Sequence, residues 1–285
     1  MKRLILWSLL LLFGLGLNAQ SRIRTDVVAS KVLGREVNVN VCVPRNFDAS
    51  DKHYPVLYLL HGLYGNHTDW ETRGGVRAVL DELTGTGEAA EMIIVMPCAG
   101  DQDVQHVQNG YFNMPDCPYE DFFFQELIPT MEQKYRCGGS KTLRAVAGLS
   151  MGGGGSVVYA QRHPDMFSSC YGMSAWLDNQ TNQIRQPADQ SNKLYITAMS
   201  VREHSALDFI DKADEATIEA LRGVKWFLDC GDDDGLLQLS VDLFMKMRRK
   251  GINCELRVRN GAHTWEYWHT ALRLSLPFAT RNFEL

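Results

Sequence analysis

The chain has 285 residues, with 29 lysines and arginines against 34 aspartates and glutamates, and is 45% hydrophobic and 22% charged. This is a globular composition, which excludes a disordered chain, a collagen-like repeat and a disulfide miniprotein. A net charge of -5 leaves no basic excess to neutralise a phosphate backbone, so small-molecule or glycan substrates are expected and nucleic acid is not.

Lys2 and Arg3 precede a leucine-rich run from Leu4 to Leu17, and the small Ala19 follows. This is the pattern of a secretory signal peptide over residues 1–19. The apolar run is shorter than the ~20 residues a membrane-spanning helix needs. An exported protein, periplasmic or secreted, is therefore expected, with residues 20–285 as a single domain and no lasting membrane insertion after cleavage. All seven cysteines lie beyond the leader, too widely spaced for a C-x-x-C metal or redox site. Most read as small buried apolar residues, with Cys98 and Cys117 as a candidate bridge in an oxidising compartment.

Along the chain, Val37, Val39, Val41 and Val43 alternate with Glu36, Asn38, Asn40 and Cys42, the period of a half-buried antiparallel strand ending at Pro44. Three largely apolar runs follow, Val56 to Leu60, Met92 to Met96 and Leu143 to Leu149, as central parallel strands require. Between them Val76, Val79, Leu80 and Leu83 form one helical stripe. Phe123, Leu127, Met131 and Tyr135 form another, which Pro129 should kink or split. Ser169 to Met173 reads as a further strand, and the polar stretch from Trp176 to Lys193 as a loop insertion at the ligand-binding edge. Val224 to Cys230 is then a strand, and Leu237, Val241, Phe244 and Met245 are one face of a helix closed by Gly251. Cys254 to Asn260 alternates as an edge strand would. The alternation predicts an α/β fold: a mostly parallel central sheet with antiparallel N-terminal strands and helices on both faces.

Gly148-Leu149-Ser150-Met151-Gly152 is a G-x-S-x-G between a buried strand and a helical segment reaching about His163. In that context the glycines permit a tight turn that lifts the Ser150 hydroxyl above the sheet, with the helix's positive end facing developing negative charge. A serine is a weak nucleophile unless a base takes its proton and a carboxylate fixes the base's tautomer. In the order serine, acid, histidine, the base falls on His263, in the loop after the last strand, with His269 as the second choice. Asp229, Asp232, Asp233 and Asp234 compete for the acid; Asp229 belongs to the strand, and Asp234 has the loop length to reach His263. Two backbone amides must stabilise the oxyanion: Met151, after the nucleophile, and Leu63, in the loop His61-Gly62-Leu63-Tyr64-Gly65. His61 sits at a strand end and reads as a structural support for that loop. Tyr64, Trp70, Tyr111, Phe112, Trp176, Trp265 and Trp268 lie in or near the same edge, and Tyr64, Trp176 and Trp265 are the candidate substrate-binding residues.

With LLHGLYGNHTDW, AGLSMGG, DCGDDDGLL and GAHTWEYWHTAL in this order, the chain resembles the putative-esterase family of α/β-hydrolases. That group includes tributyrin esterase, S-formylglutathione hydrolase, feruloyl and acetyl xylan esterases and the mycolyltransferases. The resemblance runs from about Val56 to Leu272. It implies a Ser150, Asp234, His263 triad with Leu63 and Met151 as oxyanion donors, because the family's acid stands third after a glycine and Asp234 is third after Gly231. The run Asp232-Asp233-Asp234-Gly235 departs from the family, whose members carry one or two acids before a bulky apolar residue, and keeps Asp233 as an alternative.

The expected activity is that of an exported serine carboxylesterase acting on short acyl or hydroxycinnamoyl esters, including those on polysaccharides. It would proceed through an acyl-enzyme on Ser150, without metal or organic cofactor. The competing readings are an acyltransferase that passes the acyl group to a sugar hydroxyl, a thioesterase like S-formylglutathione hydrolase, and a glycan-binding protein without catalysis. Product analysis in the presence of sugars separates transfer from hydrolysis.

Overall fold

A computed structural model describes residues 20–99, 109–114, 116–179 and 192–285. The expected leader at residues 1–19 lies outside them, as does most of the insertion read over Trp176 to Lys193.

The chain enters through an antiparallel hairpin, β1 (Arg22–Ser30) and β2 (Arg35–Val43), and continues through β3 (Val56–Leu60), α1 (Asp69–Thr72), α2 (Val76–Thr86) and β4 (Ile93–Pro97). A short ribbon, β5 (Asn113–Met114) and β6 (Cys117–Pro118), leads into α3 (Tyr119–Phe122), a π-helical turn over Phe123–Leu127 and α4 (Ile128–Tyr135). Pro129, expected to kink or split this helix, lies in α4 directly after the π-helical turn; the backbone stays helical through Leu127 and Ile128, so the irregularity is a change of hydrogen-bond pattern and not a break. Next come β7 (Arg144–Leu149), α5 (Met151–Arg162) and β8 (Ser169–Met173). Three helices follow, α6 (Lys193–Glu203), α7 (Ala206–Lys212) and α8 (Glu215–Arg222), and the chain ends with β9 (Lys225–Gly231), α9 (Leu237–Arg249), β10 (Cys254–Arg259) and α10 (Trp265–Arg281).

Eight strands form one sheet in the order β1-β2-β4-β3-β7-β8-β9-β10, with β1, β2 and β4 paired antiparallel and all pairs from β4 to β10 parallel. The strand alternation deals side chains to two cores. Val56, Tyr58 and Leu60 face one side with Phe123, Tyr159 and Leu243, while Leu57 and Leu59 face the other with Val79, Leu80 and Leu276. Helices α1, α2 and α10 cover the second face and α3 to α9 the first, which is why the central runs are apolar almost throughout; Arg144, at the start of β7, is the exception and pairs with Glu132. β10 is the edge strand, as its alternation implied, and pairs parallel to β9.

The candidate bridge between Cys98 and Cys117 does not form; no disulfide joins the described cysteines, and six of the seven are buried. Both thiols sit in a closed apolar environment that includes Tyr119, whose hydroxyl donates to the Cys98 carbonyl at 2.8 Å, and Asn109 Nδ2 lies 3.6 Å from Cys117 Sγ. These side chains fill the space without a covalent link.

Candidate active site

The C-terminal ends of the parallel strands meet at one edge of the sheet, the place where open α/β sheets bind ligands. Leu149 closes β7, and Ser150 follows with φ 53° and ψ -116°, a conformation costly for a non-glycine residue and held by the packing around it. The Ser150 amide donates to the Met173 carbonyl at 2.9 Å, and the Ser150 carbonyl accepts from Gly154 and Trp176, both at 2.9 Å. The two glycines of the motif are needed for close approach. A Cβ on Gly152 would stand 2.5 Å from the carbonyl oxygens of both Leu60 and His61, and one on Gly148 would collide with the Gly152 carbonyl. The turn is thus pressed between β3 and the start of α5, and the Ser150 hydroxyl can only project forward.

His263 meets it there. Its Nε2 lies 2.9 Å from Ser150 Oγ and its Nδ1 lies 2.8 Å from Asp234 Oδ2. The Asp234 side chain is fully buried and the His263 side chain is 37% exposed, so the imidazole alone borders solvent. Burial by itself would raise the Asp234 carboxyl. Hydrogen bonds from His263, from the Leu236 amide at 2.9 Å and from the Ser174 hydroxyl outweigh it and hold the group below the usual aspartate value. The carboxylate accepts at both oxygens, which fixes the imidazole with its proton on Nδ1 and its lone pair towards the serine.

Adjacency of β9 and β10 distributes the other aspartates. Asp232 takes the Gly261 amide on its Oδ1 at 2.9 Å, while its own amide donates to the Arg259 carbonyl. The Asp233 amide donates to the Gly261 carbonyl at 3.0 Å, and its side chain faces solvent. These bonds lace the two loops together and leave Asp234 as the aspartate of this run in contact with His263. Asp229 is fully buried inside β9, paired with Arg259 at 3.1 and 2.9 Å and hydrogen-bonded by the hydroxyls of Tyr171 and Tyr267. His269 is inside α10, with Nδ1 2.8 Å from the Gly74 carbonyl, far from the role of a base.

The two candidate oxyanion donors are Met151 and Leu63. Met151 opens α5 directly after Ser150, and Leu63 lies on the wall of the same cavity; among the described residues neither amide donates to a carbonyl. The loop carrying Leu63 is pinned by His61, whose Nδ1–H donates to the Gly62 carbonyl at 2.8 Å and whose Nε2 accepts the Ala99 amide at 2.9 Å. Complete burial lowers the His61 pKa to about 4, so the ring is neutral and serves as the splint that its position implied. Tyr111, fully buried, adds its hydroxyl to the His61 carbonyl at 2.8 Å.

The cavity over Ser150 has a volume of about 550 Å³ and is walled by Leu63, Tyr64, Asp69, Arg73, Trp265 and Trp268 among others. Of the candidate substrate-binding aromatics, Tyr64 (63% exposed) and Trp265 are on this wall. Trp176 is not. Its amide bonds to Ser150, its carbonyl packs on Gly154, and its half-buried side chain packs against the core cluster. Trp70, Tyr111 and Phe112 are core residues. Sequence reading missed Asp69, Arg73, Thr264 and Ser174. Ser174 occupies a positive φ of 45° one residue beyond β8 and accepts from Trp268 Nε1 at 3.0 Å, while the Trp268 ring stands edge-on to His263 at 4.8 Å. The signal for Ser174 is its place just past the strand next to the one that carries the nucleophile.

A hydroxyl, an imidazole and a buried carboxylate in this line, with two amides and a cavity beside the hydroxyl, have the parts for acyl transfer through a covalent serine adduct. Among the described residues no group of three or more His, Cys, Asp or Glu side chains is placed to hold a metal ion.

The sequence pattern of the family described as "Putative esterase" matches residues 30–279. A solved structure of a ferulic acid esterase superposes with a TM-score of 0.87 at 47% identity, covering 93% of this chain and all of that one. The endo-1,4-beta-xylanase/feruloyl esterase of Xylanibacter ruminicola is 32% identical over 142 residues, 48% of this chain and 19% of that protein. The acetyl esterase of Caldicellulosiruptor saccharolyticus is 26% identical over 235 residues, covering 78% of this chain and 82% of that one. The chain spans only 19% to 29% of the length of the first curated relatives that it matches.

Proposed function

We propose that this chain, which belongs to the "Putative esterase" family and has the α/β-hydrolase fold, is a serine carboxylesterase whose triad is Ser150, His263 and Asp234. The observation that carries the reading is the unbroken line from Asp234 Oδ2 through the His263 ring to Ser150 Oγ, at 2.8 and 2.9 Å, beside a cavity of about 550 Å³.

His263 takes the Ser150 proton as Oγ attacks the ester carbonyl, and Asp234 stabilises the resulting imidazolium. The amides of Leu63 and Met151 receive the oxyanion, with the positive end of α5 behind Met151. His263 then returns the proton to the leaving alcohol. Water, deprotonated by the same ring, attacks the acyl-enzyme, releases the acid and restores Ser150. No step calls for a metal or an organic cofactor.

The acyl group in this reading is acetyl or hydroxycinnamoyl and the alcohol is a sugar hydroxyl of a polysaccharide. The likeness to a ferulic acid esterase, to a xylanase/feruloyl esterase and to an acetyl esterase supports this substrate class. The leader pattern of residues 1–19 supports export, which brings the enzyme to polysaccharides outside the cell. The test is hydrolysis of p-nitrophenyl esters from acetate to decanoate and of methyl ferulate by the protein and by Ser150→Ala. The expected result is activity on the short esters or the ferulate that drops by several orders of magnitude in the variant. A folded wild type inactive on every ester overturns the reading.

A further inference from the structure

Apart from His263, the charged side chains on the cavity wall are Asp69 and Arg73, one helical turn apart at α1. They are not equivalent. Asp69 is 8% exposed, accepts the Asn66 amide and is raised in pKa by its burial, so it is recessed in the wall. Arg73 is exposed, and its guanidinium lies over the Trp265 ring at 4.9 Å from the centroid. Among the described residues its side chain has no ion-pair or hydrogen-bond acceptor at contact distance, and its charge acts on the recessed Asp69, whose carboxyl it pulls down against the effect of burial. Many arginines of this protein do have one: Arg144, Arg162, Arg202, Arg259 and Arg273 each engage a carboxylate.

The platform beneath Arg73 is rigid. Trp265 meets Trp70 edge-on at 5.3 Å and Trp268 edge-on at 5.4 Å, and the Arg73 amide is anchored to the Asp69 carbonyl at 2.9 Å. One face of Trp265 is therefore taken by the guanidinium, and Arg73 is the group offered to a ligand there. A guanidinium held over an indole by cation–π attraction keeps its N–H donors free for a bidentate carboxylate.

The side of the cavity follows from the chemistry. His263 Nε2 must protonate the departing alcohol, so the alcohol lies on the His263 side, and Trp265 is two residues beyond His263 in sequence and shares its wall. We propose that Arg73, laid on Trp265, recognises a carboxylate on the alcohol half of the ester, so that the preferred substrate is an acyl ester of an acidic, uronate-bearing glycan. The inference rests on the esterase reading above. It adds the charge of the glycan, which neither the family nor the names of the relatives specify.

The test uses acetylated xylo-oligosaccharides from a glucuronoxylan, separated by anion exchange into uronate-bearing and neutral pools. Wild type is expected to show a kcat/KM about tenfold higher on the uronate pool, as one charge-assisted contact provides, with the difference in KM. That ratio should shrink in about 0.5 M salt, fall to about one in Arg73→Gln and keep an intermediate value in Arg73→Lys, which retains the charge without the fork. Because each ratio is internal to one variant, a general loss of activity does not affect it. Calorimetric binding of the two deacetylated pools to Ser150→Ala should give the same preference without turnover. A ratio near one in wild type, or a preference that survives Arg73→Gln, overturns the proposal. Absence of hydrolysis of every p-nitrophenyl ester and of methyl ferulate by wild type is instead the failure of the esterase reading, and the binding comparison still decides the role of Arg73.

Discussion

Replacing Asp234 by Asn should stop turnover by inverting a tautomer, and the hydrogen bonds of the site say which way the amide will point. The Leu236 amide donates to Asp234 Oδ1 at 2.9 Å and needs an acceptor there, while Oδ2 faces His263 Nδ1 at 2.8 Å. An asparagine satisfies Leu236 only by placing its carbonyl oxygen at the first position, which turns its NH2 group towards His263. Nδ1 must then accept, the ring carries its proton on Nε2, and that nitrogen, 2.9 Å from Ser150 Oγ, can no longer take the serine's proton. The loss is that of a triad with the wrong tautomer, about 10³- to 10⁴-fold in kcat, or roughly 4 to 5.5 kcal/mol of transition-state stabilisation. Initial rates on p-nitrophenyl acetate for wild type, Asp234→Asn and Asp233→Asn measure it, with circular dichroism to confirm that each protein folds. Asp233→Asn, whose side chain faces solvent, should stay within about twofold of wild type. If Asp234→Asn retained a tenth of the wild-type rate, or if Asp233→Asn were the variant that collapsed, the reasoning from the Leu236 bond would be wrong.

Three further outcomes follow from burial and packing. His61 titrates at about 4 in the fold against 6.5 when unfolded, so its contribution to stability is complete above pH 6.5 and is lost as the pH falls towards 4. Denaturant titrations at pH 7 and pH 4.5 should show wild type losing roughly 2 kcal/mol more than His61→Gln over that interval; parallel losses would contradict it. Arg259→Ala leaves the Asp229 carboxylate buried with only the Tyr171 and Tyr267 hydroxyls, and should lower the unfolding free energy by about 3 kcal/mol. A change below about 1 kcal/mol would mean that water reaches the carboxylate. Gly152→Ala drives a methyl group into the Leu60 and His61 carbonyls, so activity should fall by at least about 100-fold together with the melting temperature, because the displaced group carries both Ser150 and the Leu63 loop. Normal kinetics in that variant would show that α5 is free to move.

Features with a local physical cause were legible in the sequence. The apolar runs announced the central strands because both faces of those strands are covered, and Pro129 announced a local irregularity, met as the π-helical turn before α4, because a missing amide cannot join the regular helical ladder. The glycines around Ser150 were legible for the same kind of reason, since the turn they allow is steric. By contrast, α6 carries no strong apolar stripe to distinguish it from the polar stretch before it, and α7 and α8 are short and bury few large apolar side chains, Leu207 and Ile210 in one and Ile218 and Leu221 in the other, although each of the three opens on a capping side chain, Asn192, Ser205 and Asp214, that accepts an amide three residues on. Trp176 looked like a binding residue because aromatics near a catalytic edge often are. Its half-buried place against the core goes with the amide bond to Ser150 and the contact on Gly154, both of which depend on α5 and β8 being neighbours in space.

The acidic run after β9 shows how strand order turns a composition into distinct roles. Four aspartates within six residues look interchangeable as charges, and proximity to His263 in sequence does not rank them. Once β10 lies parallel beside β9, the position of each aspartate along the strand and loop sets its neighbour. Asp229 is inside the sheet and meets Arg259 across the strand pair; Asp232, just past the last paired residue, meets the Gly261 amide; Asp233 turns to solvent; and Asp234 reaches back to the imidazole. The first two acids therefore hold the loop on which the fourth depends. This arrangement makes a specific demand: loss of the Asp232 to Gly261 bond should loosen the His263 loop without touching any member of the triad. Asp232→Ala should accordingly lower kcat several-fold at an almost unchanged melting temperature, whereas Asp232→Asn, which keeps an acceptor for the Gly261 amide, should restore it.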